Sequence, residues 1–177
     1  GDLGYLDDDG YLWITGRAKD IIIRGGHNID PTVIEDALAA HSQVAMVGAI
    51  GQPDLRLGEV PCAYVELIAG ASTQSTELME HVKETLGSKV AMPEHIEILE
   101  ELPKTAVGKI FKPDLRKRAI TRVFDSELQS KGFEENVTEV IEDKVTGLTA
   151  IISSRSNFSD EEINKQLGQF VVPWKRG

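Results

Sequence analysis

Cysteine is almost missing from this sequence: Cys62 is the single thiol among 177 residues. One thiol can neither close an internal disulfide nor complete a cysteine metal set, and a reducing, cytoplasmic compartment is the expectation. No apolar run approaches the roughly 20 residues of a membrane helix. No basic segment leads into an apolar stretch at the start, so neither a membrane span nor an export signal is expected. Positive charge is also scarce. Against 29 Asp and Glu there are 19 Lys and Arg, a net charge of −10. Proteins that displace phosphate counterions carry clustered Lys and Arg, so a nucleic-acid partner is disfavoured. The one short basic cluster, residues 112–118, reads as a solvated helix face.

What is present is ordinary globular material. A hydrophobic share of 41% with 27% charge excludes a disordered chain. The length suits one domain, or a compact domain with an appendage. Residues 1–15 place Asp7-Asp8-Asp9-Gly10 between two apolar-aromatic runs and predict a β-hairpin, since Asp-Gly supplies the positive φ of a tight turn. A polar junction, Gly16-Arg17-Ala18-Lys19-Asp20, precedes a strand at Ile21-Ile22-Ile23. Asp30 then caps a helix with Pro31 in its first turn and a buried stripe of Val33, Ile34, Ala37 and Leu38.

Strands are predicted at 44–50 and 60–67, separated by a turn at Gly51-Gln52-Pro53-Asp54. Ser75 or Thr76 is the expected cap of a second helix reaching about Lys89, with Leu78, Val82 and Leu86 inward. A short strand at 95–99, a loop over 102–110 and a third helix from Pro113 with Leu115 and Ala119 on one side follow. The alternation argues for helices on a small sheet, α+β or α/β. Beyond about Thr121 the pattern restarts, with strands at 137–141 and 148–153, an Asp160-capped helix and an apolar run at 170–172.

Familiar chemical arrangements fail on inspection. Gly108-Lys109 lacks the glycine five positions earlier and the Ser or Thr afterwards that a phosphate-cradling P-loop needs; Pro103 and Ile110 stand there. His27, His41, His81 and His95 are scattered, with no readable nucleophile–base arrangement and no zinc pattern. His41, His81 and His95 read as structural or solvated.

Four stretches taken together carry a specific signal: Gly1-Asp2-Leu3-Gly4-Tyr5, Gly16-Arg17-Ala18-Lys19-Asp20, Ile22-Ile23-Arg24-Gly25-Gly26-His27-Asn28-Ile29, and Pro103-Lys104-Thr105-Ala106-Val107-Gly108-Lys109-Ile110. In this order and spacing, over about residues 1 to 120, the chain resembles the C-terminal domain of adenylate-forming acyl-CoA synthetases, of the type acting on medium- to long-chain fatty acids. The resemblance implies an α+β lid that first helps make an acyl-adenylate from a carboxylic acid and ATP, then rotates for thioester formation with coenzyme A.

It also implies roles. Lys109 would contact the carboxylate and α-phosphate as the adenylate forms, on a loop that Gly108 leaves free to reach. Asp2 would accept bonds from ribose hydroxyls, and Arg17 would contact the nucleotide near ribose and phosphate. Lys19 would be the hinge. Gly25, Gly26 and His27 would line the pantetheine tunnel, where absence of a Cβ lets a ligand approach backbone.

The implied division is a hairpin and connector at 1–18 that ends a larger domain, a mobile lid at 19–120, and an α+β extension at 121–177. Starting inside the Gly-Asp signature, the chain is expected to be part of a longer protein and inactive alone. Magnesium-ATP and coenzyme A are expected as substrates of that protein, with neither bound tightly here. The expected partners are the missing N-terminal domain and a carboxylic acid, with an oligomer left open. Two alternatives stand beside this reading: an acyl-AMP ligase or carrier-loading adenylation domain, and a stand-alone binding or regulatory module.

Overall fold

The computed structural model describes residues 1–153 and 158–177, leaving aside the side chains of residues 2, 3, 14 and 15. The predicted opening hairpin forms from β1 (Asp2–Leu6) and β2 (Leu12–Arg17), antiparallel, with Asp2 opposite Arg17. Asp7 organises its turn: one carboxylate oxygen accepts from the Asp9 and Tyr11 amides, and the other lies 2.6 Å from Trp13 Nε1.

A single 3₁₀ turn, Ala18–Asp20, leads into the central five-stranded sheet. Its members are β3 (Ile22–Arg24), β4 (His27–Ile29), β5 (Val44–Asp54), β6 (Gly58–Leu67) and β7 (His95–Leu99). β6 is central. One of its edges pairs antiparallel with β5, and the other is shared by β7, running parallel, and by β3 at Gly58.

Period-2 alternation along these strands sorts the core into two layers. Val47, Ala49, Ala63, Val65 and Ile96 face α1 (Thr32–Ala39) and α2 (Ser75–Thr85), meeting Ile34, Leu38, Leu78 and Val82. Ile50, Cys62 and Tyr64 face the other way and meet Leu102, Leu115 and Ala119 below α3 (Lys112–Ser130). The uninterrupted apolar run of β6 follows from burial on both faces.

Past residue 120 the same helix α3 continues, where the sequence pattern had suggested a restart. Its second half presents Ile120, Phe124 and Leu128 to a separate core under a three-stranded sheet. That sheet comprises β8 (Val137–Asp143), β9 (Gly147–Ile152) and β10 (Trp174–Arg176), with α4 (Asp160–Leu167) crossing between the parallel pair β9 and β10.

Several boundaries differ from the sequence reading. Gly51-Gln52-Pro53-Asp54 is strand, not turn, because β5 lies at the sheet edge where Pro53 forfeits no ladder bond. α2 begins behind Gln74, whose capping box with Glu77 outcompetes Ser75 and Thr76, and it stops at Thr85. Pro31 is the N-cap of α1, and Asp30 serves it by accepting from the Thr32 amide at 2.9 Å. The cap of α4 is Ser159, in a capping box with Glu162, with Asp160 already inside the helix.

Candidate functional site

The loop bearing Lys109 is built as a small pinned hairpin. Lys104 and Ile110 form an isolated antiparallel bridge, and the Thr105 amide donates to the Lys109 carbonyl at 2.7 Å. Gly108 closes the turn at φ 79°, a conformation that costs an L side chain strain. Thr105 Oγ1 accepts from the Lys109 amide at 3.2 Å. The base of the loop is fastened by Glu66, which accepts from the Leu102 amide at 2.9 Å and from Lys104 Nζ at 2.8 Å.

These two hydrogen bonds hold the Glu66 carboxyl below its ordinary pKa, the Lys104 bond contributing most. Lys109 itself is exposed, and its ammonium has no hydrogen-bond or ion-pair partner among the described residues. Val107 beside it is 80% exposed, so the tip projects into solvent.

This tip borders a cleft of about 710 Å³. Its walls include Arg17 and Lys19 from the end of the hairpin, Asp30 from before α1, Lys109 from the loop and Arg116 from α3. Three residues separated by up to 92 positions, Arg17, Lys19 and Lys109, are thereby brought to one depression. The backbone of Asp2 lies opposite Arg17 in the hairpin register; the Asp2 side chain lies outside the described residues. Asp20 also lines the cleft and pairs with Arg116, so Lys19 and Lys109 are the ammonium groups placed there for an anion, charge-assisted bonds to phosphate or carboxylate being the strong ones.

Gly25, Gly26 and His27 are not part of that cleft lining. Gly25 at φ 54° and Gly26 at φ 87° make the tight turn that joins β3 to β4, a geometry β-carbons resist. The Gly25 amide donates to the Leu57 carbonyl at 2.9 Å. Arg24 ties the hairpin to the stretch before β7, donating to the carbonyls of Val90 and Met92 and pairing with Glu94. His27 borders a second groove, about 550 Å³, shared with Val33, Leu86 and Ala91.

Sequence reasoning missed the work of the basic cluster. Lys112 pairs with Glu35 on α1 at 2.8 Å, Arg116 with Asp20 at 2.8 Å, and Arg118 with Glu97 on β7. The cluster is therefore a set of ion pairs binding α3 to three other parts of the fold, not a solvated face. Helical spacing alone shows which charges share a side, not what that side meets. His41 and His81 pack edge to face at 5.1 Å, and His81 Nε2 lies 3.0 Å from the Ala37 carbonyl. Among the described residues no three His, Cys, Asp or Glu converge as metal ligands. No helix among them is long and apolar enough to cross a membrane.

Residues 33–109 match the AMP-binding enzyme C-terminal domain, and this segment of the chain belongs to that family. It is 43% identical over 171 residues to the marinolic acid–CoA ligase of Pseudoalteromonas sp. (strain SANK 73390), an alignment covering 96% of this chain and 26% of that ligase. With the medium-chain fatty-acid–CoA ligase of Escherichia coli (strain K12) it shares 43% identity over 124 residues, 70% of this chain and 22% of the other.

Among solved structures, the o-succinylbenzoate CoA synthetase of Bacillus subtilis, in complex with its acyl-adenylate intermediate, superimposes with a TM-score of 0.59 at 39% identity, covering 66% of this chain and 23% of that one. The expected α+β fold is thus shared with these enzymes. The chain spans about a quarter of the length of the curated relatives it matches. Coverage of 96% with the first ligase takes in most of residues 121–177, so the extension is shared with that protein.

Proposed function

We propose that this chain is the mobile small domain of an AMP-forming acid–thiol ligase. In the first step the carboxylate oxygen of an apolar acid attacks the α-phosphorus of ATP, forming the acyl-adenylate and expelling pyrophosphate. In the second the coenzyme A thiol attacks the acyl carbon, the thioester bond forms, and AMP leaves. The observation that carries the reading is Lys109, held unpartnered at the tip of a pinned loop on the same cleft as Arg17 and Lys19.

In that reading Lys109 supplies positive charge to the carboxylate and α-phosphate, and Arg17 and Asp2 hold the nucleotide. Lys19 is the hinge, and the turn at Gly25, Gly26 and His27 faces the pantetheine arm after rotation. Residues 1–18 belong with the larger domain, 19–120 form the lid, and 121–177 extend it. The hairpin supports this division, since Leu6, Tyr11 and Leu12 stand exposed as a contiguous element would before docking on a larger body. Magnesium enters with ATP as part of the substrate. The cytoplasm is the proposed compartment, and the isolated chain is inactive without the remaining walls of the site.

The test is an assay of the full-length protein with magnesium-ATP, a panel of fatty and aryl acids, and either coenzyme A or a carrier protein. The expected result is pyrophosphate release followed by a coenzyme A thioester. Acyl-adenylate that passes only to a carrier, or accumulates, assigns the protein to the acyl-AMP ligases and carrier-loading domains. No adenylate with any acid leaves a binding or regulatory module.

A further inference from the structure

Two sets of hydrogen bonds bracket the segment between hairpin and sheet. On the upstream side Asp2 and Arg17 are in register, and the Ala18 amide donates to the Gly1 carbonyl at 3.1 Å, so the peptide plane entering Ala18 moves with the hairpin. On the downstream side Arg116 Nη2 donates to the Lys19 carbonyl at 3.0 Å and to Asp20 Oδ1 at 2.8 Å. The peptide plane leaving Lys19 is therefore fixed to α3. Peptide units are rigid, so only the φ and ψ rotations of Ala18 and Lys19 remain between the two anchored planes.

We propose that Arg116 is a positioning residue that defines the pivot of the lid, confining the swing to Ala18 and Lys19 by clamping the plane that follows them. This rests on the mobile-lid reading above and adds to it the residue that sets where rotation begins. One nitrogen serves both acceptors, and both side chains of the ion pair are about three-quarters shielded, 23% exposed each. A charge-assisted contact so placed outlasts an open surface pair. Nothing in the clamp needs to break as the lid turns, because the Lys19 carbonyl travels with α3. Without it, rotation spreads into Asp20 and Ile21, and the lid loses a defined axis.

Backbone ¹⁵N relaxation on the 177-residue chain tests this directly. In the wild type the order parameter should fall from the Lys19 amide back into the hairpin, with Asp20 and Ile21 near the rigid value of about 0.85. Arg116→Ala should take Asp20 and Ile21 below about 0.6 while residues 112–130 keep theirs. Arg116→Gln, which retains most of the side-chain stem, gives the same pattern should the alanine variant not fold. A purely structural role would lower the melting temperature without moving mobility to residues 20 and 21. That result, or a wild type already mobile across 18–21, overturns the proposal. The measurement is independent of ligase activity: a full-length protein that makes no acyl-adenylate would sink the functional reading and leave the clamp standing.

Discussion

Glu66 and Lys104 meet at 2.8 Å where the lysine loop leaves the sheet. Further along the same loop the Lys109 ammonium meets no partner among the described residues, so the two lysines divide the labour: one fastens and one is displayed. Glu66→Ala removes the acceptor of the Leu102 amide in a buried position, which costs about 1–3 kcal/mol for an unsatisfied group. Because the folded Glu66 carboxyl is held below its usual range, its contribution is present above the ordinary carboxylate pKa and disappears as pH falls through the lowered value. Acid titrations of wild type and Glu66→Gln should show the variant losing stability less steeply on the acid side; parallel curves would contradict this.

Lys109→Ala in the full-length protein should reduce acyl-adenylate formation by roughly 10²–10³, the usual loss of one well-placed electrostatic donor. Thioester formation from pre-made acyl-adenylate should be spared. Pyrophosphate release and single-turnover thioester assays separate the steps, and equal loss in both would refute the assignment.

Lys19→Pro fixes φ at about −65° in the segment that the hairpin and α3 leave free to turn. Adenylate formation should persist while the thioester step slows. An unimpaired second step would remove Lys19 as the hinge.

The extension is fastened through α3, where the Phe124 and Phe170 rings lie 5.0 Å apart in the second core. Phe124→Ala should cost about 3–5 kcal/mol as a large-to-small change at a fully buried site. Deleting residues 137–177 should uncover Ile120, Phe124 and Leu128 and bring aggregation, read by light scattering. A soluble, equally stable truncation would show that the second core is dispensable.

Burial pushes the Cys62 thiol up to about 11. Thiolate is the reactive form, so native protein at pH 8 should resist a thiol-labelling disulfide reagent and react only when the layer between α3 and the sheet opens. The raised pKa makes this contribution to stability full below the ordinary thiol range and lost as pH rises toward about 11. Fast stoichiometric labelling under native conditions would disprove the buried placement.

Several devices were legible in sequence because their motifs are local: Gly108 before Lys109 on the candidate cleft, and away from it the Gly25-Gly26 turn and the hairpin around Asp7, each needing only a few consecutive residues. The two-faced burial of β6 could likewise be read from an apolar run with strand length. Cap choice was less legible, because Gln74 competes with Ser75 and Thr76 within one turn and only the Glu77 partner decides. The short strands β4 and β10 carry too few residues for any periodicity to register.

The sequence by itself determined the local devices: the Asp7 hairpin, the Gly25-Gly26 turn, the strand alternation and the lysine at its glycine, since short-range backbone sterics and alternation specify them. Tertiary structure alone decided what the charges of α3 do and where one core gives way to the next. Arg116 reaches a carbonyl 97 positions away, and one helix passes through two cores. Partners so distant in the chain are chosen by packing, and no spacing rule within a single element encodes them.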